Sequence, residues 1–323
     1  MAFLQEKVLF VWFMFSLTSG FTSSRSDHYT PPNLKHLTEL FPRLKFNQGF
    51  KESFGESNIK LMDNGSFVNV TLDKSSGSGF VSQDDYYYGF FNTAIKLPAG
   101  FSSGVVVAFY VSSFFSLSLM SNSEIFPHNH DEIDIELLGH QNRKEWILQT
   151  NIYGNGSIKT GREEKFHLWF DPTEQHHQYS IIWNSNHTVF LVDNVPIREV
   201  THSEGISSAY PLKPMSLHCT IWDGSEWATN GGKDPVNYKY APFVASFGDM
   251  QMEGCKWDKT KQVPFCVKSG QGLSILDPVE GEEFAKLSQE QKMGMDDYRK
   301  RFMIYSYCKD PRRYKVLPPE CNR

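Results

Sequence analysis

Beyond its first residues the chain has no apolar stretch approaching the ~20 residues needed to cross a bilayer, so no membrane partner is expected once a leader is removed. Positive charge is not in excess either. Lys and Arg number 32 against 37 Asp and Glu, a net charge of −5. A nucleic-acid binder would usually need a basic face, and no nucleic-acid partner is expected. No internal repeat is visible. Cysteine is scarce, at five residues, and no His follows Cys255. A zinc site on the late cysteines would need C-x-x-C-type spacing or nearby His. No metal is therefore expected, and no cofactor. What the chain has instead is apolar and aromatic material: 40 % hydrophobic residues, with 26 Phe, 14 Tyr and 7 Trp. That suits a packed core and β-sheet. It also suits sugar binding, because the apolar C–H face of a pyranose can lie on an aromatic ring.

The N-terminus reads as an address. Lys7 precedes an apolar run from Val8 to Phe15, followed by Ser16, Thr18, Ser19 and Gly20. This is the pattern of a secretory signal, too short to span a bilayer. Cleavage is expected between about Gly20 and Ser24; the alternative is a short membrane anchor. N-x-S/T sequons at Asn64, Asn69, Asn155 and Asn186 agree with export, though each alone is a weak signal. Four cysteines form two close pairs, Cys255 with Cys266 and Cys308 with Cys321. In an oxidising compartment these would be disulfides. Cys219, within the strand-like run Ser216–Trp222, is expected to be a buried free thiol.

From about Phe41 to Phe247 the chain reads as successive short strands rich in β-branched and aromatic residues. Examples are 66–72, 104–110, 179–183 and 188–192, broken by turn signals such as Asp63-Asn64-Gly65 and Asp193-Asn194. Many strands without intervening helices predict an all-β jelly-roll sandwich of two antiparallel sheets, with a concave face able to hold a ligand. The tail differs. Ser288 with Gln291 fits a capping box that would open a helix of about a dozen residues, and 302–307 reads as one more strand. The expected division is a signal peptide over 1–24, a β-jelly roll over 25–251 and a C-terminal extension over 252–323.

The informative segment is His130-Asp131-Glu132-Ile133-Asp134-Ile135-Glu136-Leu137-Leu138-Gly139. Side chains on a strand alternate between faces. Glu132, Asp134 and Glu136 therefore point one way, and Ile133, Ile135 and Leu137 point into the core. Like charges this close raise one another's pKa, and a surface strand would interleave Lys or Arg. The bland alternative is a solvated acidic edge or a cation site. Residues four apart on a strand have Cα atoms about 13 Å apart at ~3.3 Å per residue. Two Glu side chains leaning together can bring their carboxyls to the ~5–5.5 Å of a retaining glycosidase. One would attack the anomeric carbon and the other would protonate the leaving oxygen. Asp134 between them can hydrogen-bond the nucleophile and help separate the two pKa values. The motif alone does not say which Glu plays which part.

This segment resembles the H-D-E-I-D-x-E-x-L-G signature of plant xyloglucan endotransglucosylase/hydrolases, of glycoside hydrolase family 16. Further matches are Gln149-Thr150-Asn151, Gly161-Arg162-Glu163, Trp169-Phe170-Asp171-Pro172-Thr173, the stretch from Trp222 to Gly232, and Tyr307-Cys308 with Pro318-Pro319-Glu320-Cys321. The resemblance covers nearly the whole mature chain and implies a β-jelly roll. It implies that Glu132 is the nucleophile, Glu136 the acid/base and Asp134 the assisting acid. It places glucan-binding positions at Gln149, Thr150, Asn151, Arg162, Glu163, Glu226, Trp227, Gly231 and Arg313. The two cysteine pairs match the family's C-terminal disulfides, whereas Cys219 has no counterpart. Glu226 stands where the family usually has Asp, and Gly161 where it often has Asn. The apolar stretch Phe114–Met120 falls where a short connection before the catalytic strand is expected; it is either an insertion or an error in the gene model such as retained intron sequence.

The resemblance implies a secreted, cell-wall enzyme, expected to be a monomer, that acts on xyloglucan donor and acceptor chains. It would cleave the β-1,4-glucan backbone, hold a covalent glycosyl intermediate and pass it to another glucan. Three alternatives stand beside transfer: hydrolysis of the same chain, a different β-glucanase on the same fold, and a non-catalytic glucan-binding lectin. A lectin has no use for three repelling acids.

Overall fold

In the computed structural model, residues 29–113, 130–143, 145–156, 160–264, 266, 278–279 and 281–321 are described. The expected leader and the Phe114–Met120 stretch lie outside them. Runs of β-branched and aromatic residues between Gly, Asn and Asp turns become the strands. In chain order these are β1 (Phe50–Phe54), β2 (Ile59–Met62), β3 (Phe67–Leu72), β4 (Ser78–Ser82), β5 (Tyr86–Lys96) and β6 (Val105–Ser112). There follow β7 (Glu132–Gly139), β8 (Trp146–Tyr153), β9 (Glu164–His167), β10 (His177–Trp183), β11 (His187–Val192) and β12 (Val195–Thr201). The last are β13 (Ser216–Asp223), β14 (Phe243–Asp258), β15 (Val263–Pro264) and β16 (Met303–Ser306). Asp193 and Asn194, at φ 45° and 63°, close the β11–β12 hairpin. Positive φ at both turn positions matches the twist of the flanking strands, which is why Asp-Asn suits this site.

The strands form two antiparallel sheets, as expected. One runs β1-β4-β13-β6-β7-β8-β9-β16 and the other β12-β11-β10-β5-β14-β3-β2, with β15 paired to β14. The core lies between them. Val107, Phe109, Ile133, Ile135, Leu137 and Leu148 come from the first sheet and Ile95, Ile181, Trp183 and Phe247 from the second, all fully buried. Each such side chain contributes about 1.5–3 kcal/mol of burial. Slipping β7 by one residue would exchange its apolar set for its acids, so its register is strongly specified.

β14 runs unbroken across position 252, where the extension was expected to begin, and pairs with β5 as far as Lys256. Cys255 is thus a sheet residue, bridged to Cys266 across a Cα separation of 5.4 Å. The tail helix is the longest in the described residues: α1 spans Phe46–Gly49, α2 Glu282–Ala285 and α3 Gln289–Phe302. Ser288 caps α3 as its sequence predicts. Its hydroxyl accepts from the Gln291 N–H at 3.2 Å, and its own N–H donates to the Gln291 side chain at 2.8 Å. α3 buries Tyr298 and Phe302, and Tyr298 stacks on Phe166 of β9 at 5.5 Å between ring centres. β16 then joins the edge of β9, so the extension lengthens the first sheet. Cys308 is bonded to Cys321, and Cys219 is a buried free thiol. Asn64, Asn155 and Asn186 are exposed and Asn69 is half-buried on β3. No helix among the described residues is long and apolar enough to cross a membrane.

The sequence separations of 11 and 13 residues make each bridge worth about 3 kcal/mol if loop closure dominates. Non-reducing peptide mapping should recover Cys255–Cys266 and Cys308–Cys321 with Cys219 alkylated only after unfolding. The double variant Cys308→Ser, Cys321→Ser should lose roughly 5–10 °C in Tm. A mixed bridge to Cys219, or an unchanged Tm, would contradict this.

Candidate active site

β7 lies between β6 and β8, and its register sets what faces each acid. Glu132 is opposite Ser112 and Tyr153, Asp134 opposite Tyr110 and Asn151, and Glu136 opposite Ala108 and Gln149. All these positions share the face turned away from the core. Continuing outward, Lys165 of β9 lies opposite Gln149, and His218 of β13 lies opposite Tyr110. The three acids thus sit in the middle of an eight-stranded sheet, flanked by amides and one lysine on one side and by an aromatic pair on the other. His218 stacks on Tyr110 at 4.8 Å and 9°. Burial lowers the His218 pKa to about 4, so this ring is neutral at ordinary pH.

The acids do not behave as surface carboxylates. Burial, then the charge of Glu136, pushes Glu132 up to about 7, against hydrogen bonds from Ser112 and Asp134. Burial also raises Glu136 to about 7, opposed by a hydrogen bond from Gln149 and by the charge of Lys165. Asp134 is raised well above the usual carboxylate range by burial and by both glutamates. Its carboxyl and that of Glu132 are hydrogen-bonded to each other. Gln149 Nε2 donates to Glu136 Oε2. One acid is hydrogen-bonded to the neighbouring carboxyl and the other to a neutral amide, so the two ends of the ladder differ in environment although the motif is symmetric.

Asp131 anchors the strand that carries them. Its buried carboxylate accepts from the N–H groups of Asn155 (2.6 Å), Leu212 (2.7 Å) and Lys213 (2.9 Å) and pairs with the Lys213 ammonium at 2.9 Å. At the other end, a Cβ on Gly139 would lie 1.8 Å from the carbonyl oxygen of Ser102. Only glycine permits that close approach.

The other expected site residues divide. Gln149 and Asn151 reach the ladder. Trp227 is half-buried, 5.9 Å from Trp222 between ring centres, over the small apolar cluster of Val106, Leu138 and Ala228 beside Glu136's end of the strand. Glu226 and Gly231 are exposed in the loop after β13. Glu163 and Arg313 form a two-pronged ion pair of 2.6 and 3.0 Å. That pair lies against Gly161, where a Cβ would meet it at 2.2–2.6 Å, so the glycine at this position leaves room for it. Thr150 and Arg162 are not brought to the ladder by their side chains. Thr150 follows the strand alternation onto the buried face, where Arg198 donates to its hydroxyl at 2.9 Å and its carbonyl at 3.0 Å. Arg162 is buried, and its Nε donates to Glu320 at 2.6 Å. Tyr110, Ser112, Tyr153, Lys165 and His218 are neighbours that motif reading passed over. Their only sequence signal is position parity within strands whose pairing is set by the fold.

Two glutamates with a hydrogen-bonded aspartate between them, on the open face of an antiparallel sandwich, define a glycosidase-type enzyme. Residues 46–240 match Glycosyl hydrolases family 16, and residues 279–321 match Xyloglucan endo-transglycosylase (XET) C-terminus. The chain is 44 % identical over 322 residues to the probable xyloglucan endotransglucosylase/hydrolase protein 28 of Arabidopsis thaliana, covering 99 % of this chain and 87 % of that one. It is 49 % identical over 280 residues to the probable protein 27 of the same organism, covering 87 % and 79 %. A solved Crh5 transglycosylase in complex with NAG shares the fold at TM-score 0.50 and 20 % identity, over 64 % of this chain and 79 % of that one. The chain belongs to the xyloglucan endotransglucosylase/hydrolase family, within glycosyl hydrolase family 16.

The raised carboxyls link the site to stability. A group whose folded pKa lies above its unfolded one favours the fold fully below the unfolded value and loses that contribution as pH rises through the folded one. For Glu132 the window runs from 4.5 to about 7. Glu132→Gln should therefore raise Tm by a few degrees at pH 8, with the gain shrinking toward zero near pH 4.5. A gain independent of pH in thermal melts would contradict a buried, repelled carboxylate.

Proposed function

We propose that this protein cleaves the β-1,4-glucan backbone of xyloglucan and rejoins it to a second xyloglucan chain, with retention of configuration. The observation carrying the mechanism is that Asp134 is hydrogen-bonded to Glu132 while Gln149 holds Glu136. The assignment of xyloglucan follows from the substrate named for the relatives. In the first step the Glu132 carboxylate attacks the anomeric carbon, the glycosidic C–O bond breaks and the leaving oxygen takes the Glu136 proton. Asp134's hydrogen bond steadies the Glu132 carboxylate before attack. In the second step Glu136, now ionised, takes the proton of an acceptor hydroxyl as that oxygen attacks the intermediate and releases Glu132.

Transfer requires the acceptor to outcompete water. Trp227 offers a stacking face, and the exposed Glu163–Arg313 pair offers groups for hydroxyls beside the extension. Together they raise the effective concentration of an acceptor chain. Hydrolysis of the same backbone is the second reading, since the ladder serves both. The leader, the exposed sequons and the two disulfides support secretion to the cell wall.

Glu132→Ala should abolish transfer and hydrolysis with the fold intact; activity within tenfold of wild type, about 1.4 kcal/mol in the barrier, would sink the nucleophile assignment. Glu136→Ala should be severely impaired, and azide should partly restore turnover of an activated donor, because a small anion needs no general base. Failure of rescue would remove Glu136 from the acid/base role. The polymer assay separates the two outcomes of the intermediate. Xyloglucan mass should fall slowly with enzyme alone and fast with added labelled oligosaccharide, with label entering polymer. Equal release of reducing ends with and without acceptor, and no label incorporated, would make water the acceptor.

A further inference from the structure

Asn151 can present either its oxygen or its nitrogen to the ladder, and the difference matters. The Arg162 backbone N–H donates to Asn151 Oδ1 at 2.9 Å. That fixes the amide so that its NH2 group faces Asp134 and Tyr153, with both of which Asn151 is hydrogen-bonded. Arg162 donates to the Thr160 carbonyl at 3.3 Å, and its side chain is also held from the extension. Its Nε donates to Glu320 Oε1 at 2.6 Å, and both side chains are only 6 % exposed. Tyr307 donates to the same oxygen at 3.3 Å, and Glu320 precedes Cys321, which is tied to Cys308. A continuous set of contacts therefore runs from the C-terminal disulfide through Glu320, Arg162 and Asn151 to Asp134 and Glu132.

We propose that Arg162 and Glu320 are positioning residues for the reaction: they fix the orientation of Asn151, and through it the Asp134 carboxyl that hydrogen-bonds the nucleophile, so that the extension completes the catalytic geometry instead of only lengthening the glucan site. In this arrangement Arg162 is occupied internally and does not bind glucan. Asp134 is faced by Glu132 and Glu136 on its own strand, by Tyr110 from β6 with neutral His218 behind it, and by Asn151 and Tyr153 from β8, with Lys165 of β9 beyond Gln149. Of these, Lys165 is tied to the extension by the pairing of β9 with β16, and Asn151 is tied to it through Arg162 and is the one hydrogen-bonded to Asp134. A freed Asn151 lets Asp134 turn from Glu132. The hydrogen bond that lowers the Glu132 pKa is then lost, and the nucleophile ionises only at higher pH.

The proposal rests on the retaining mechanism above, and the experiment keeps the two apart. Wild type, Glu320→Ala, Glu320→Gln and the double variant Arg162→Met, Glu320→Met are assayed with xyloglucan and a labelled oligosaccharide across pH, with Tm measured alongside. Replacing both buried partners by apolar groups leaves no unpaired charge, so the double variant covers the case in which Glu320→Ala does not fold. Glu320→Ala and the double variant should lose about tenfold in kcat with acceptor KM within twofold. The acidic limb of the profile should move up by about half a pH unit or more. Glu320→Gln, which keeps an acceptor for Arg162, should recover most of the rate. Unchanged kcat and acidic limb in the folded variants would overturn the proposal, as would a raised acceptor KM alone, which would return Arg162 to the glucan site. A wild type inactive on every glucan would instead refute the functional reading.

Discussion

Everything at the site depends on one strand being unable to slip. Ile133, Ile135 and Leu137 are fully buried between two sheets, and β7 is paired on both sides along its length. Moving it by one residue would expose that apolar set and bury three carboxyls in the core. The core therefore supplies the force that keeps Glu132, Asp134 and Glu136 together against their mutual repulsion. Without that anchoring, three acids at alternate positions would separate or take up cations.

The neighbouring strands make the crowding useful. Each acid meets a different partner at its own level of the sheet: Ser112 at Glu132, Asn151 at Asp134, Gln149 at Glu136. Burial raises all three carboxyls, and the partners then differentiate them. The middle acid is hydrogen-bonded to one neighbour, while an amide and the more distant Lys165 attend the other. A pair of identical side chains thus acquires two environments, which a mechanism with one nucleophile and one proton donor requires.

The extension is bound to this sheet through charge as much as through apolar packing. Glu164, buried on the core side of β9, is bonded by Arg299 of α3 at 2.6 and 2.8 Å and lies 3.5 Å from Arg198. Burial pushes its pKa up, but the two guanidiniums hold it below the usual carboxylate range. Arg198 also grips Thr150, between the two amides that serve the ladder. Buried ion pairs of this kind add little net stability but are strongly directional. They fix how α3 and β16 sit against β9, and with them the Arg162–Glu320 pair.

Much of this was legible in the residues. Alternation in 132–137 determined that three acids share a face, because strand geometry leaves no other arrangement. Ser288 and Gln291 determined the start of α3, and the close cysteine spacings marked the two bridges. The family motif assigned roles to particular glutamates. Sequence could not decide which face of β8 reaches the acids, so Thr150 and the amides on either side of it looked alike, although parity sends Thr150 into the core. Nor could it show that Arg162 would be occupied by Glu320, 158 positions later, or that Lys165, Tyr110 and His218 would line the ladder. Those placements come from strand pairing between distant segments. A motif records what lies along one strand, and only the sheet records what lies across it.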